Sequence, residues 1–217
     1  MTLKVIAYAR NGHTDKFGIP RQSREESPIV TRIVFEPEYR VPEALRGIEG
    51  YSHLWLIWGF SEVDSWSPTV RPPRLGGNIR MGVFATRSPF RPNPLGLSSV
   101  RLLGIENGEL IVSGADLLDG TPIYDIKPYL SFSDSHPEAK NGFAEEHKGY
   151  RLEVIGDRDS APESVWREIE YILAQDPRPA YQNDPERVYK MDYAGYTVSF
   201  SVNKQTVLVK KIQKTQK

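Results

Sequence analysis

Cysteine is absent from all 217 residues, which removes disulfides, thiolate metal sites and cysteine nucleophiles together. That absence fits a reducing compartment. No apolar run approaches the roughly 20 residues needed to cross a bilayer. The apolar stretch within Met1–Arg10 is too brief and wrongly flanked for a signal peptide. The expectation is a cytoplasmic globular protein with neither a membrane nor a metal as partner. Several chemistries are missing too: a Gly-rich dinucleotide fingerprint, a P-loop lysine motif and a nucleophile elbow around a serine. Leu75–Gly82 holds Gly76, Gly77 and Gly82 without the spacing or following helix of a phosphate cradle. His13, His53, His136 and His147 lack metal-ligand spacing. His53, inside the apolar run Tyr51–Phe60, reads as a hydrogen-bonded core residue.

Excess charge is lacking as well. The chain carries 28 basic and 28 acidic side chains, so bulk charge announces no nucleic acid. The distribution says more. Between Ser65 and Ile105 there is no Asp, Glu or Lys, but there are arginines at 71, 74, 80, 87, 91 and 101 and six prolines. Guanidinium forks suit phosphates and carboxylates and stack on flat rings, and prolines stiffen the loops that carry them. This stretch reads as an anion-binding face; the plainer alternative is a basic surface whose acidic partners lie elsewhere in the chain.

What the sequence does contain is β-structure. Leu3–Tyr8, Ile29–Phe35, Ser52–Phe60, Met81–Ala85 and Ser98–Leu103 are short runs rich in β-branched or aromatic residues. Asn107–Gly108 predicts a two-residue hairpin turn, because both residues tolerate positive φ. Short strands with Gly/Pro punctuation and no alternating long helices predict a closed or nearly closed barrel. Ser133–Lys148 is polar and reads as an exposed connector. Ala161–Gln175 is the best helix, with capping-box spacing at Ser160 and Glu163, an apolar face of Val165, Ile169, Ile172 and Leu173, and a stop at Asp176–Pro177. Tyr196–Val202 and Thr206–Lys211 flank Asn203–Lys204 as a terminal hairpin, and Lys210–Lys217 reads as a frayed tail. The expected fold is mainly β: a small barrel over residues 1–148, then a small α+β appendage over 149–217.

Three segments are peculiar for scaffold. Ala85–Leu102 holds Arg87 and Arg91 four apart in a proline-locked loop whose backbone groups are left for a ligand. Ala115–Tyr129 sets Asp116, Asp119 and Asp125 around Gly120–Thr121–Pro122, either a capped turn or a functional segment. Gln175–Tyr181 follows the helix, where a stop accounts for Pro177 but not for Arg178 or Tyr181.

GIPRQS (18–23), RGIEGYSHLWL (46–56), the 71–102 block, DLLDGTPIYDIKPYL (116–130) and AQDPRPAY (174–181) together resemble the TsaA-like family. The narrower likeness is to its bacterial tRNA N6-threonylcarbamoyladenosine methyltransferases. The resemblance runs in order over nearly the full chain and is weakest in Ser133–Lys148 and the tail. It implies a β-barrel methyltransferase without a Rossmann fold, using S-adenosylmethionine on tRNA, as a homodimer. By matched motif it implies cofactor contacts at Pro20, Arg21, Gln22, Ser61, Glu62, Arg87, Leu97 and Asp116, Leu117, Leu118, Asp119. Many relatives carry His-Gln where this chain has Ser61-Glu62. RNA contacts are expected at Arg71, Arg74, Arg91, Arg178 and Tyr181. Asp125, Lys127 and Tyr129 are possible helpers in proton removal, and no catalytic residue is assigned. Every matched cofactor segment lies before residue 120, so deleting an RNA-reading appendage should spare the cofactor; alternatively the helix packs on the barrel and stabilises it. Two other functions stay open on sequence: an RNA-binding barrel without catalysis, and a methyltransferase of this family acting on a small metabolite.

Overall fold

The computed structural model describes residues 2–20, 22–23, 26–72, 79–147, 149–178, 182 and 184–215. Twelve strands run along these residues: β1 Ala7–Arg10, β2 Val30–Phe35, β3 His53–Gly59, β4 Thr69–Val70, β5 Met81–Gly82, β6 Leu95–Glu106, β7 Glu109–Ser113, β8 Pro122–Pro128, β9 Glu153–Gly156, β10 Tyr189–Tyr193, β11 Tyr196–Asn203 and β12 Thr206–Lys214. Three α-helices accompany them: α1 Pro42–Leu45, α2 Ser131–Asp134 and α3 Glu163–Ala174.

Six strands close a barrel in the order β1-β2-β7-β6-β3-β8, every neighbouring pair antiparallel. Closure leaves no edge strand exposed. Alternation along each strand sends one set of side chains inward: Ala7 and Ala9, Ile33 and Phe35, Leu54 and Leu56, Leu110 and Val112 fill the interior. The Asn107–Gly108 turn forms as expected, with φ of 52° and 75°. β8 was hidden by its Pro122 start, which is tolerated at the first residue of a strand. The Met81–Ala85 run is a strand only at its first two residues and then turns as a 3-10 segment, Val83–Ala85.

The second unit is a four-stranded sheet, β10-β11-β12-β9, with α3 packed on it. Its core joins Trp166, Ile169 and Ile172 of α3 to Met191, Val198, Phe200 and Val209. Three local expectations need correction. The capping box does not form: Ser160 Oγ donates to Asp157 Oδ1 at 2.7 Å, while Glu163 pairs with Arg158 and Arg167. Lys204–Gln205, not Asn203–Lys204, makes the last turn, with Asn203 still in β11. The lysines at 210, 211 and 214 lie within β12 rather than fraying, Lys211 opposite Ser199 and Lys214 opposite Tyr196, with Lys210 at a bulge.

The stretch between β1 and β2 ties the two units together. Ile29 is fully buried in the second core, and Phe17 stacks at 6.5 Å from Tyr189 and 6.3 Å from Phe200. Gly18, at φ 101°, passes so close to Met191 that a Cβ would stand 2.4 Å from its sulfur. Ala194 N donates to Gly12 O at 2.9 Å, and Arg151 pairs with Glu26 at 2.8 Å.

His13 sits in this junction, 1 % exposed, its ring edge-on to Tyr193 at 5.0 Å and its Nε2 without a hydrogen-bond partner among the described residues. Burial lowers its pKa from 6.5 to about 4. The unfolded chain therefore takes up a proton that the folded protein refuses. Stability is intact above pH 6.5 and is lost as the pH falls towards 4, by at most about 3 kcal/mol. Urea unfolding at pH 7 and pH 4.5 should show a smaller acid loss for His13→Leu than for the wild type. Equal losses would place the acid sensitivity elsewhere.

Candidate active site

β3 and β6 pair with Ile57 opposite Leu97 and Trp58 opposite Gly96. Strand alternation then puts Trp55, Leu97 and Ser99 on the outer face, and Trp58, Gly96 and Ser98 on the inner one. At this end of the barrel three loops rise over the rim: residues 11–20 and 22–23 after β1, 60–63 after β3 and 86–91 before β6. They enclose a cavity of about 850 Å³ that reaches both faces, touching Trp55 and Leu97 outside and Trp58 and Asp116 at the barrel mouth.

Its floor is a short polar chain. Trp58 Nε1 donates to Ser98 Oγ at 2.9 Å, and Ser98 Oγ donates to Asp116 Oδ1 at 2.5 Å. Gly96 makes room for this, because a Cβ there would stand 2.2 Å from the Trp58 ring. Burial pushes the Asp116 carboxyl above the usual carboxylate range; the Ser98 hydroxyl, Arg87 and the Ser23 amide pull the other way without cancelling it. A half-buried carboxyl of raised pKa on a cavity wall is a functional signature.

Two contacts span the mouth. Arg87 Nη1 donates to Gln22 Oε1 at 2.7 Å, and Lys16 pairs with Glu62. Arg91 is spent differently: its Nη1 donates to Val83 O at 3.1 Å and Thr86 O at 2.8 Å, clamping the loop to its own base. The loop backbone is also partly satisfied, since Pro94 O accepts from Phe60 N at 2.9 Å and Phe90 O from Ser67 N at 3.2 Å. These bonds correct the expectation that the proline-rich loop leaves its backbone groups to a ligand.

Of the residues expected in one pocket, Pro20, Gln22, Ser61, Glu62, Arg87, Leu97, Asp116 and Leu118 line this cavity. Leu117 and Asp119 do not. Leu117 is fully buried in the barrel core, and Asp119 accepts from the Asn11 amide at 3.1 Å and pairs with Arg10 at 3.5 Å, capping the turn behind the wall. Arg21, Arg74 and Tyr181 lie outside the described residues. Arg178 is buried, 7 % exposed, and forks both carboxylate oxygens of Asp176 at 2.8 and 2.9 Å. It therefore offers no fork to a phosphate, a correction that spacing alone could not supply. Asp125 pairs with Lys127 at 2.8 Å, and Tyr129 packs 5.4 Å from Trp55; none of the three lines the cavity. His53 is half-buried beside Ser52 and Tyr129, not a core residue. Trp55, Trp58 and Ser98 were missed, although strand parity through Tyr51–Phe60 and Gly96–Val100 carried their signal. Among the described residues, no three His, Asp or Glu side chains cluster as metal ligands, and no helix is long and apolar enough to cross a membrane.

Comparison with known proteins covers both units. The family model described as the tRNA-methyltransferase O N-terminal domain matches residues 8–135, and that of the TrmO C-terminal domain matches residues 152–215. The tRNA (adenine(37)-N6)-methyltransferase of Eikenella corrodens is 51% identical over 171 residues, 75% of this chain and 97% of that protein. The protein of the same name from Escherichia coli K12 is 40% identical over 83% of each chain. A crystal structure of TrmO from Pseudomonas aeruginosa superposes with a TM-score of 0.82 at 33% identity, covering 98% of both chains.

Proposed function

The chain belongs to the tRNA-methyltransferase O family, and on that premise we propose that the rim cavity is its S-adenosylmethionine site and threonylcarbamoylated adenosine its acceptor. The enzyme methylates N6 of adenine 37 in tRNA at the expense of S-adenosylmethionine. This removes both the RNA binder without catalysis and the metabolite methyltransferase.

The observation that carries the cofactor assignment is the chemistry of the cavity wall. A volume of about 850 Å³ lies within the range of about 300–1,000 Å³ typical of small-ligand pockets. The wall offers a half-buried carboxylate, Asp116, an arginine fork, Arg87, and the apolar surfaces of Trp55 and Leu97. S-adenosylmethionine brings the matching set: cationic ammonium and sulfonium, a carboxylate, and a flat adenine. When bound, it supplies a methyl group already activated on sulfur.

The protein's own part is to bind and to orient. Asp116 presents negative charge to the cationic end, and Arg87, held out over the mouth by Gln22, presents its fork to the carboxylate. The acceptor nitrogen of a threonylcarbamoylated adenine is ureido-like and a poor nucleophile. Among the described residues of the wall neither carboxylate stands ready as its base, since Glu62 is paired with Lys16 and Asp116 accepts from Ser98. Alignment and exclusion of water are left to supply the acceleration. A tRNA substrate supports a cytoplasmic location for this work. The homodimer implied by the family resemblance is kept as the working assembly, to be checked by light scattering.

Mass spectrometry of nucleosides after incubation with S-adenosylmethionine tests the acceptor. Methyl transfer should require the threonylcarbamoyl group; equal methylation of tRNA lacking it would overturn that part. For the cofactor site, Arg87→Ala should weaken S-adenosylmethionine binding about 10- to 100-fold by calorimetry, the worth of a charge-assisted hydrogen bond. Melting should be unaltered, because Arg87 is exposed. An unchanged affinity would move Arg87 out of the cofactor's reach.

A further inference from the structure

A second, larger groove of about 1480 Å³ lies beside the cofactor cavity. Gln22, Ser23 and the Thr86–Arg87 turn line both, so one opens beside the other. One wall is the arginine block, with Arg71, Arg80 and Phe84. The lining also takes in the connector that sequence left without a role, through Lys140 and Phe143.

The chemistry of this groove is specific. Arg71 and Lys140 are exposed and carry no ion pair among the described residues, while Arg80 donates only to Thr69 Oγ1 at 2.9 Å. The acid in the lining, Glu145, accepts from Asn141. Between the cations stand open aromatic faces: Phe84 is 74 % exposed, with the Arg91 guanidinium 5.5 Å from its ring, and Phe90 and the half-buried Phe143 are close by. Uncompensated cations interleaved with exposed rings are what a single strand of nucleic acid requires, phosphates for the former and unstacked bases for the latter.

We propose that this groove holds the single-stranded RNA next to the target adenosine, with the 140–145 segment as part of its lining. Arg71 and Lys140 take backbone phosphates, and Phe84 and Phe143 stack neighbouring bases. The proposal rests on the tRNA reading and extends it to a segment with no assigned role. A base placed in the cofactor cavity leaves its neighbours directly over this groove.

The test uses the full-length protein and a labelled anticodon stem-loop RNA, made with and without the threonylcarbamoyl group. Binding is followed by anisotropy over a range of salt concentrations, with S-adenosylmethionine affinity measured in parallel. Removing both cations, Arg71→Ala with Lys140→Ala, should weaken RNA binding and flatten the slope of log K against log salt by about 1.4, or 0.7 per single-strand phosphate. Cofactor affinity and melting should stay unchanged. Phe143→Leu should cost about tenfold in RNA affinity, in the range for one stacked base, with the salt slope unaltered. An unchanged slope in the double variant overturns the proposal. So does a loss seen only with threonylcarbamoylated RNA, which would make the groove a reader of that carboxylate, or a loss that tracks a change in oligomeric state. A wild type that neither binds nor methylates RNA would instead bring down the tRNA reading itself.

Discussion

A chain ending at Tyr150 is expected to lose S-adenosylmethionine binding as well as tRNA methylation, and to aggregate. Motif positions alone point the other way, because every matched cofactor segment precedes residue 120. The fold reverses that expectation. The loop that carries Pro20, Gln22 and Ser23 to the cavity is held by the appendage on which it packs, through Phe17, Gly18 and Ile29. Nor does α3 pack on the barrel; its apolar face is spent on the appendage's own sheet. Truncation would expose Ile29 and Phe17, and each large apolar side chain so exposed costs about 1.5–3 kcal/mol. Set against a total of about 5–15 kcal/mol for a typical domain, that loss is large. Two substitutions in the full chain make the same point more gently. Ile29→Ala should destabilise by about 2–5 kcal/mol and Phe17→Ala by somewhat less than the 3–5 of a fully buried ring. Both should weaken the cofactor, although neither residue lines the cavity. A soluble 1–150 fragment with wild-type cofactor affinity would refute this coupling.

The same junction shows which features sequence carries and which it does not. The Asn107–Gly108 turn and the helix stop at Asp176–Pro177 were legible because local chemistry decides them: the turn needs positive φ and has it, and the residue before a proline is driven out of the helix. The barrel was legible as a class, since closure follows from many short antiparallel runs. The capping box failed on a tertiary partner: Asp157 accepts from Ser160 and also from the Ile212 amide, 55 residues away. Arg178 failed for a related reason. A guanidinium in a proline-flanked turn reads as a phosphate fork until a carboxylate two residues earlier claims both of its arms. Arg178→Ala is therefore a poor probe of RNA recognition, because it removes a buried guanidinium and its two bonds to Asp176. Within the site, motif matching found most of the wall but not the Trp58–Ser98 pair that sets its floor. Those residues bear no ligand-binding signature; their part is to hold Asp116.

Asp116→Asn should lower S-adenosylmethionine affinity at neutral pH by about 10- to 100-fold, as expected for a lost charge-assisted contact, without lowering the melting temperature of the cofactor-free protein. The opposed signs follow from the carboxyl's surroundings. Burial raises its pKa in the fold, so the charged form costs the cofactor-free protein stability, and that cost is relieved as the pH falls through the raised value. Asparagine removes the charge and keeps an oxygen for Ser98 to bond. Binding of a cation reverses the preference, because it needs the carboxylate. Wild-type affinity should thus decline as the pH falls through the raised value, whereas the Asn variant stays flat. Ser98→Ala withdraws the hydroxyl that favours the charged form, and it should move the decline to higher pH, a shift that mere loosening of the fold would not produce. Glu62→Gln, on the far side of the mouth, should leave the pH at which affinity declines where it is. If Asp116→Asn retains full affinity, or if wild type and variant share one pH profile, the half-buried carboxylate is not the partner of the cofactor's charge.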